Sequence, residues 1–249
     1  MSLSWLKRKH LRIGLGVKRV MISGGKPIEL QSSDDWRAGV EALPEILKAH
    51  KSRDASVVLA DQFVRYALLP HSEAVKSREQ WLALARHRFS ALHGAVAAGW
   101  DVKVTETAPL GSRLACAVDR ELIEHLALKF VAAGVHLISV QPFLIAAFNR
   151  IRQHVGNGSC WIVVEEPGRL TLALIHRGAW VAIRSRRSDE RWRMVLPEIL
   201  ERESAFLGLD RPCTRVIVCA QGEFEFEPQM LDSWRAQALS YRELALAWE

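Results

Sequence analysis

The sequence lacks the long apolar runs and the paired cysteines that would assign it quickly to a class. No apolar run approaches the roughly 18 to 20 residues that a membrane-spanning helix needs, so we expect no integral membrane segment. The N-terminus is basic, but it has neither the apolar stretch nor the small-residue cleavage site of a secretory signal. Because the four cysteines form no C-x-x-C pair, neither a zinc site nor a redox pair is indicated. These absences predict a cytoplasmic protein with buried, reduced thiols.

Several motifs of nucleotide-binding proteins and hydrolases are also missing. The sequence contains no G-x-x-x-x-G-K-[ST], no G-x-G-x-x-G and no G-x-S-x-G. A ribonuclease-H-type nuclease needs carboxylates on its first strand to hold two metal ions about 4 Å apart, yet Leu11–Ser23 contains none. His87 and His93 share a predicted helix, but their spacing of six residues puts them on different faces. We therefore expect no metal site and no catalytic residues of these classes.

The net charge of +6 is concentrated at the N-terminus. Residues 1–28 contain seven basic residues and no acidic one, so the rest of the chain is close to neutral. A groove for nucleic acid would draw on Lys and Arg across the surface, which argues against a nucleic-acid partner. The N-terminal charge suits contact with anionic lipid or an acidic partner; a solvated tail is the alternative. A smaller basic cluster lies at 184–193. It has two possible interpretations: a binding site for phosphate or an acidic partner, and the solvated start of a helix.

Short apolar segments bounded by turns predict an α/β fold in two similar halves. Each half has three strands, a helix, a strand and a helix, which is the element order of the ribonuclease-H-like fold. The first half, residues 1–155, carries inserted strands and a helix, and the second half is 156–249, with Gly156–Ser159 as the linker. Two such lobes in tandem make a reduced actin-like ATPase architecture.

The clearest element of the first half is an amphipathic helix. Its apolar residues recur at helical spacing, and they are Trp81, Ala85, Phe89, Leu92 and Val96. An earlier helix contains Pro44, which we expect to kink or end it. At the other end of the chain, a short helix is predicted over 228–237, followed by a last strand at Ala238–Tyr241.

An actin-like ATPase places the phosphates in two D-x-G turns and the adenosine near a pair of glycines. The counterparts here are degenerate. The first has Arg12 at the aspartate position before Gly14, and the second has Glu166 and a proline before Gly168. The third keeps a single glycine, Gly222. We therefore expect no cofactor and no hydrolysis; an ordinary hairpin turn is the alternative interpretation of each short match.

Several segments together resemble a known family. They are Val58–Pro70, the Trp81 helix, Leu114–Asp119, and Val140–Pro142 with Ala147–Arg150. These segments resemble the actin-like pilus and secretion proteins, of which the nearest groups are the PilM protein of type IV pili and the cytoplasmic region of the type II secretion L-component. In PilM-like proteins the first phosphate turn is D-x-G-x-x-x-x-K, whereas here it runs from Arg12 to Arg19.

The resemblance implies a function in assembly. It implies a non-catalytic scaffold protein, cytoplasmic and peripheral at the inner membrane, that captures the cytoplasmic tail of an inner-membrane pilus or secretion protein; it leaves self-association open. Within the segment Asp61–Pro70 and the following helix, we expect Asp61, Arg65 and Tyr66 to contact the partner, with Arg65 paired to a peptide carboxylate. Two alternatives stay open: an ATP-binding protein of the same fold, and a nucleic-acid-binding ribonuclease-H-like module.

Overall fold

The structure is a computed structural model with two five-stranded sheets, one three-stranded sheet and helices packed on them. It describes residues 10–23, 25–30, 35–50, 52–105, 111–155, 158–208, 213–220, 225–226 and 232–240. In chain order, the elements of the first lobe are β1 (His10–Leu15), β2 (Arg19–Ile22), β3 (Ile28–Glu29), α1 (Arg37–His50), β4 (Asp54–Leu59), β5 (Val64–Leu69), α2 (Arg78–His93), β6 (Trp100–Val104), β7 (Arg113–Asp119), α3 (Arg120–Ala132), β8 (His136–Pro142) and α4 (Phe143–Val155). Those of the second lobe are β9 (Cys160–Glu166), β10 (Arg169–His176), β11 (Ala179–Arg187), α5 (Trp192–Leu207), β12 (Arg215–Ala220) and β13 (Arg235–Ser240).

The two large sheets have the same strand order. The first runs β3-β2-β1-β4-β8 and the second β11-β10-β9-β12-β13. In each, the first strand pairs antiparallel with the second and parallel with the fourth, and the fourth pairs parallel with the fifth. Parallel neighbours require a crossover connection, which α1 and α5 supply between the third and fourth strands. This confirms the prediction of two ribonuclease-H-like lobes in tandem.

The insertion in the first lobe forms a separate layer. Its strands have the order β5-β7-β6, and α2 packs on them through Trp81, Ala85 and Phe89, which are all buried. The helix begins at a capping box, in which Ser77 Oγ accepts the N–H of Gln80 and the Gln80 side chain accepts the N–H of Ser77. The predicted apolar face of this helix is confirmed for three of its members.

Two members of that predicted face are exposed instead. The helix ends at His93, and Gly94 follows with a φ of 73°, which redirects the chain into the 3₁₀ turn Gly94–Gly99. Leu92 and Val96 are 52% and 62% exposed. The prediction for Val96 was wrong because it continued the helical spacing through this glycine, whereas Leu92 lies in the last turn of α2, beyond its buried residues Trp81, Ala85 and Phe89.

Helix α4 lies between the lobes and joins their cores. Its residues Phe143, Leu144, Ala147 and Ile151 belong to one apolar cluster that also contains side chains of β4, β9 and β10. The predicted boundary at 155/156 falls directly after this helix and before β9. The two sheets are therefore distinct, while the hydrophobic core between them is shared.

Other expectations are corrected in detail. Helix α1 continues through Pro44 from Arg37 to His50, so the proline neither ends nor interrupts the assigned helix. Residues Arg235–Gln237, expected in a helix, are the start of strand β13. Residues 228–231 of that predicted helix lie outside the described residues, as does Gly222. Among the described helices, none combines the length and hydropathy needed to cross a bilayer.

Candidate functional site

Two hairpin turns, one from each lobe, face each other across a small cleft. The β1–β2 turn is Gly16–Lys18, closed by a bond from the Gly16 N–H to the carbonyl of Arg19 (3.1 Å). The β9–β10 turn is Pro167–Gly168, where Gly168 has a φ of 79° that favours glycine. The cavity between them has a volume of about 270 Å³. It is lined by Gly16, Val17, Lys18, Arg19, Ala60, Gln62, Glu166, Pro167 and Gly168.

The first predicted phosphate turn lies elsewhere than expected. Arg12 and Gly14 are inside strand β1, where they pair with Ser56 and Val58 of β4, and neither lines the cleft. The glycine at the turn is Gly16, two residues further on. Sequence matching selected Gly14 because the spacing from Arg12 to Arg19 fitted the family pattern, whereas the strand register places the turn at Gly16–Lys18.

Glu166, at the second predicted turn, connects the two lobes. Its carboxylate is 1% exposed, and its two oxygens accept the backbone N–H of Asp61 at 3.1 and 3.0 Å. Beside it, the Gln62 side-chain amide donates to the carbonyl of Pro167 at 3.0 Å. Burial, followed by the neighbouring charge of Asp61, raises the pKa of Glu166 well above its usual range. This carboxylate therefore binds the opposite lobe, and its environment disfavours the charge that a metal ligand needs.

Of the residues predicted to contact a partner, Asp61 is fully buried and Tyr66 is half-buried. The Asp61 Oδ1 accepts the Tyr66 hydroxyl at 2.5 Å and the Leu144 N–H at 3.1 Å. Burial raises the pKa of Asp61 to about 6, although these hydrogen bonds act in the opposite direction. The Asp61 side chain is thus part of the connection between the 3₁₀ turn Asp61–Phe63, β5 and α4, and it is inaccessible to a partner in this conformation.

The Arg65 side chain lies on the opposite face of β5 from Tyr66. It is exposed, and its guanidinium donates to the carbonyls of Gln62 and Val64. The structure therefore brings Asp61 and Tyr66 together and separates Arg65 from Tyr66, because successive residues of a strand face opposite sides of the sheet. Assigning Val64–Leu69 to a strand could have revealed this separation, because the side chains of neighbouring strand residues point to opposite faces.

A mainly apolar groove opens on the other side of the inserted layer, between the edge strands β6 and β8. It has a volume of about 460 Å³. Strands β6 and β8 each pair with a single described strand, so both present an unpaired backbone edge. The groove is lined by Leu59, Asp101, Lys103, Val104, Thr105, Leu114, Cys116, Val118, Ile123, Val140, Gln141, Pro142 and Ile145. Its ionic side chains form one loose pair, with Lys103 Nζ 3.8 Å from Asp101 Oδ2.

The Cys116 thiol in this groove is a weak nucleophile. Burial raises the pKa of Cys116 to about 11, so the neutral thiol dominates at physiological pH. Across the described residues, no group of three side chains suited to metal binding occurs. The groove therefore offers apolar contacts and backbone hydrogen bonds.

Comparison with solved structures identifies the architecture. The PilM–PilN type IV pilus biogenesis complex contains a chain that superimposes with a TM-score of 0.67 at 12% identity, covering 95% of this chain and 89% of that one. The cytoplasmic domain of EpsL, an inner-membrane component of the type II secretion system of Vibrio cholerae, matches with a TM-score of 0.57 at 12% identity, covering 94% and 91%. This chain has the actin-like ATPase fold.

A third solved structure with the actin-like fold comes from Bacteroides thetaiotaomicron. It matches with a TM-score of 0.60 at 11% identity, covering 96% of this chain and 94% of that one, and its function is unknown. No protein-family model matches the sequence, and no curated protein is significantly similar to it. The similarity to actin-like proteins is therefore a similarity of structure, and it confirms the fold predicted from the element order.

The cleft of this actin-like chain does not fit Mg-ATP. Mg²⁺ prefers anionic oxygen ligands. Among the described residues that line the cleft, Glu166 is the one carboxylate, and it is already bonded to Asp61 and has a raised pKa. Lys18 and Arg19 bring positive charge to the opposite turn, and Pro167 has no N–H to offer a phosphate. In the part of the chain that the structure describes, the two hairpin turns therefore offer Mg²⁺ no free carboxylate.

We expect no magnesium-dependent ATP binding and no ATP hydrolysis. Titration calorimetry with ATP and Mg²⁺, repeated with EDTA, measures the first, and phosphate release measures the second. Weak binding that persists in EDTA and falls in Lys18→Ala would reflect the cationic turn alone. A micromolar affinity that disappears with EDTA would contradict this prediction.

Proposed function

We propose that this chain is a non-catalytic assembly protein of a type IV pilus or type II secretion-like machine. In this proposal it acts at the cytoplasmic face of the inner membrane, where it binds a short cytoplasmic segment of an inner-membrane protein. The observation that carries the proposal is the groove between β6 and β8. One of the solved structures of the same fold is itself a complex with a second pilus protein, and another is the cytoplasmic domain of an inner-membrane component.

The groove suits an extended peptide better than a folded partner. An extended segment that adds to a sheet edge gains main-chain hydrogen bonds, and pockets for alternate side chains give specificity. The β6 edge has such groups available. The Thr105 N–H donates to the carbonyl of Leu114 at 2.9 Å, and hydrogen-bonded pairs alternate along an antiparallel ladder. The N–H groups of Val102 and Val104 therefore point to the open side.

The side chains of the groove predict the character of the segment. Leu59, Ile123, Val140 and Ile145 offer apolar surface from β4, α3, β8 and α4. Exposed Lys103, with a side-chain exposure of 69%, is placed to meet an acidic residue at the rim. We therefore propose a segment of alternating apolar residues with one carboxylate, which binds as an additional strand on β6.

The test is a crosslink followed by a defined binding measurement. A photoreactive residue at position 103 should capture an inner-membrane protein in cells, and a synthetic peptide covering its cytoplasmic segment should bind the purified chain. Val104→Pro removes the outward N–H at an edge, where proline is tolerated, and should weaken peptide binding about tenfold, as expected for a lost backbone hydrogen bond and its desolvated partner. Val104→Ala keeps the N–H and is the matched control.

Charge-reversal variants distinguish a partner site in this groove from the site at Arg65 that the sequence predicted. Lys103→Glu should weaken binding of the same peptide, while Arg65→Glu, on β5 and outside the groove lining, should leave it unchanged. Loss of binding in Arg65→Glu with none in Lys103→Glu would move the site to the β5 side. If the crosslink captures no inner-membrane protein and no peptide binds, the proposed function is wrong.

A further inference from the structure

A polar pocket lies on the α4 side of the first sheet, at the opposite end of β1 from the turn Gly16–Lys18. Its volume is about 340 Å³. Side chains from β1, β4, β8 and α4 converge on it, and they are His10, Arg12, Ser56, Val57, Val58, Ser139, Gln141, Ala146, Asn149 and Arg150. It is separate from the cleft, with which it shares no lining residue. We call it the β1 pocket.

The strand register builds one wall of the β1 pocket. Arg12 pairs with Ser56, and Ser56 pairs with Ser139, so the three polar side chains form a row across the sheet at the strand spacing of about 4.8 Å. The Ser139 hydroxyl donates to the Ser56 hydroxyl at 3.0 Å, which fixes the two groups relative to each other. Asn149 and Arg150 approach the same space from α4.

The chemistry of the lining is that of an anion receptor. It combines two guanidinium groups, an imidazole, two amides and two hydroxyls, and none of the described lining residues is a carboxylate. Asp54, two residues before Ser56 on β4, is outside the lining, and its Oδ1 lies 3.5 Å from His136 Nδ1. Guanidinium groups bind phosphate oxygens in pairs of parallel hydrogen bonds, and hydroxyl and amide donors complete such a site.

The pocket is open to a ligand at its rim and less accessible below. His10, Asn149 and Arg150 are exposed, Arg12, Ser56 and Ser139 are half-buried, and Val57, Val58 and Ala146 are buried. Reduced contact with water strengthens the attraction between the guanidinium groups and an anion. In the sequence, Lys7, Arg8 and Lys9 directly precede His10.

We propose that the β1 pocket binds a phosphate monoester or diester, with Arg12 and Arg150 contacting its oxygens and Ser56 and Ser139 contributing hydroxyl groups. Two sources share this chemistry: a soluble phosphorylated metabolite and the glycerol phosphate headgroup of an anionic lipid. The site is independent of the peptide groove, although Gln141 lines both and places them side by side.

The test compares one lining arginine with a neighbour that is not in the lining. Inorganic phosphate and glycerol 3-phosphate are titrated into the wild type, Arg150→Ala and Arg152→Ala by calorimetry, and the His10 imidazole signals are followed by NMR. The same proteins are sedimented with phosphatidylcholine vesicles that contain or lack phosphatidylglycerol. Arg152 is exposed on the same helix, so it is the matched control for charge. Circular dichroism checks that each variant folds.

We expect Arg150→Ala to weaken binding at least tenfold, the usual consequence of losing a hydrogen bond between charged groups, and Arg152→Ala to leave it unchanged. Binding of glycerol 3-phosphate that shifts the His10 signals supports a soluble ligand. Sedimentation only with phosphatidylglycerol, dependent on Arg150, supports a lipid headgroup. Equal losses in both variants, binding abolished by Lys18→Ala in the cleft, or no binding in either arm would overturn the proposal.

Discussion

The stability of Asp61→Asn relative to the wild type is expected to be greater at pH 8 than at pH 4, by roughly 2 to 3 kcal/mol. The figure follows from a pKa raised from 3.8 to about 6 by burial, at about 1.4 kcal/mol for each unit. Asparagine keeps an Oδ1 that accepts the Tyr66 hydroxyl and the Leu144 N–H, but it cannot ionise. The substitution therefore removes the cost of a buried charge and preserves these two hydrogen bonds. Its amide donors take the place of Oδ2, which has no hydrogen-bond partner among the described residues, and the cost of burying these donors is the same at both pH values.

The pH dependence of this effect has a definite sign. Between pH 4 and pH 6, folded Asp61 holds a proton that the unfolded chain has released, so the stability of the wild type falls as the pH rises through this window. Below pH 4 both states are protonated and the contribution of Asp61 disappears. Glu166, whose pKa is raised further, extends the decline to higher pH.

Urea unfolding of wild type and Asp61→Asn at pH 4 and pH 8 measures this difference. The stability of the variant relative to the wild type should rise by this amount from pH 4 to pH 8. Glu124→Gln, an exposed acid on α3, is the control and should change neither value. A gain of the same size at both pH values would show that the effect does not come from ionisation of Asp61.

Trp81→Ala should destabilise the protein by about 3 to 5 kcal/mol, the range for removing a large aromatic side chain from a core. Trp81 is 4% exposed in the cluster that joins α2 to the inserted sheet, and the Arg113 guanidinium lies over its ring at 4.5 Å. The loss therefore combines a cavity with a broken cation–π contact.

Leu92 provides the comparison on the same helix. It is 52% exposed, so Leu92→Ala should cost less than about 1 kcal/mol. Chemical denaturation of both variants gives the two values. If Trp81→Ala cost as little as Leu92→Ala, the packing of α2 on the inserted sheet would be wrong.

Local sequence patterns were sufficient for much of the fold. The alternation of apolar strands and helices predicted both lobes, because most of the central strands of the two large sheets are short apolar segments bounded by turns. The buried positions Leu122, Leu126 and Phe130 of α3 follow from helical spacing, and Asp119 caps that helix by accepting the N–H of Glu121. Such features depend on residues that are close together in the chain.

The candidate sites depend on contacts between distant residues, which local patterns do not encode. Asp61 and Glu166 are 105 residues apart, and nothing near Asp61 in the sequence indicates that its backbone N–H meets a carboxylate of the other lobe. The groove forms only because β6 and β8 become edges of different sheets. The β1 pocket likewise requires the register that places Arg12, Ser56 and Ser139 in one row.

The shared position of α4 has a consequence for the order of folding during synthesis. During synthesis, α4 leaves the ribosome before β9 and β10 do, and at that stage Phe143, Ala147 and Ile151 lack the second-lobe members of their apolar cluster. Native packing around α4 must therefore wait for the second lobe. A nascent chain paused after α4 would expose the apolar side chains of this helix to solvent. Packing of the second-lobe strands against α4 is therefore the folding step that protects this protein from aggregation.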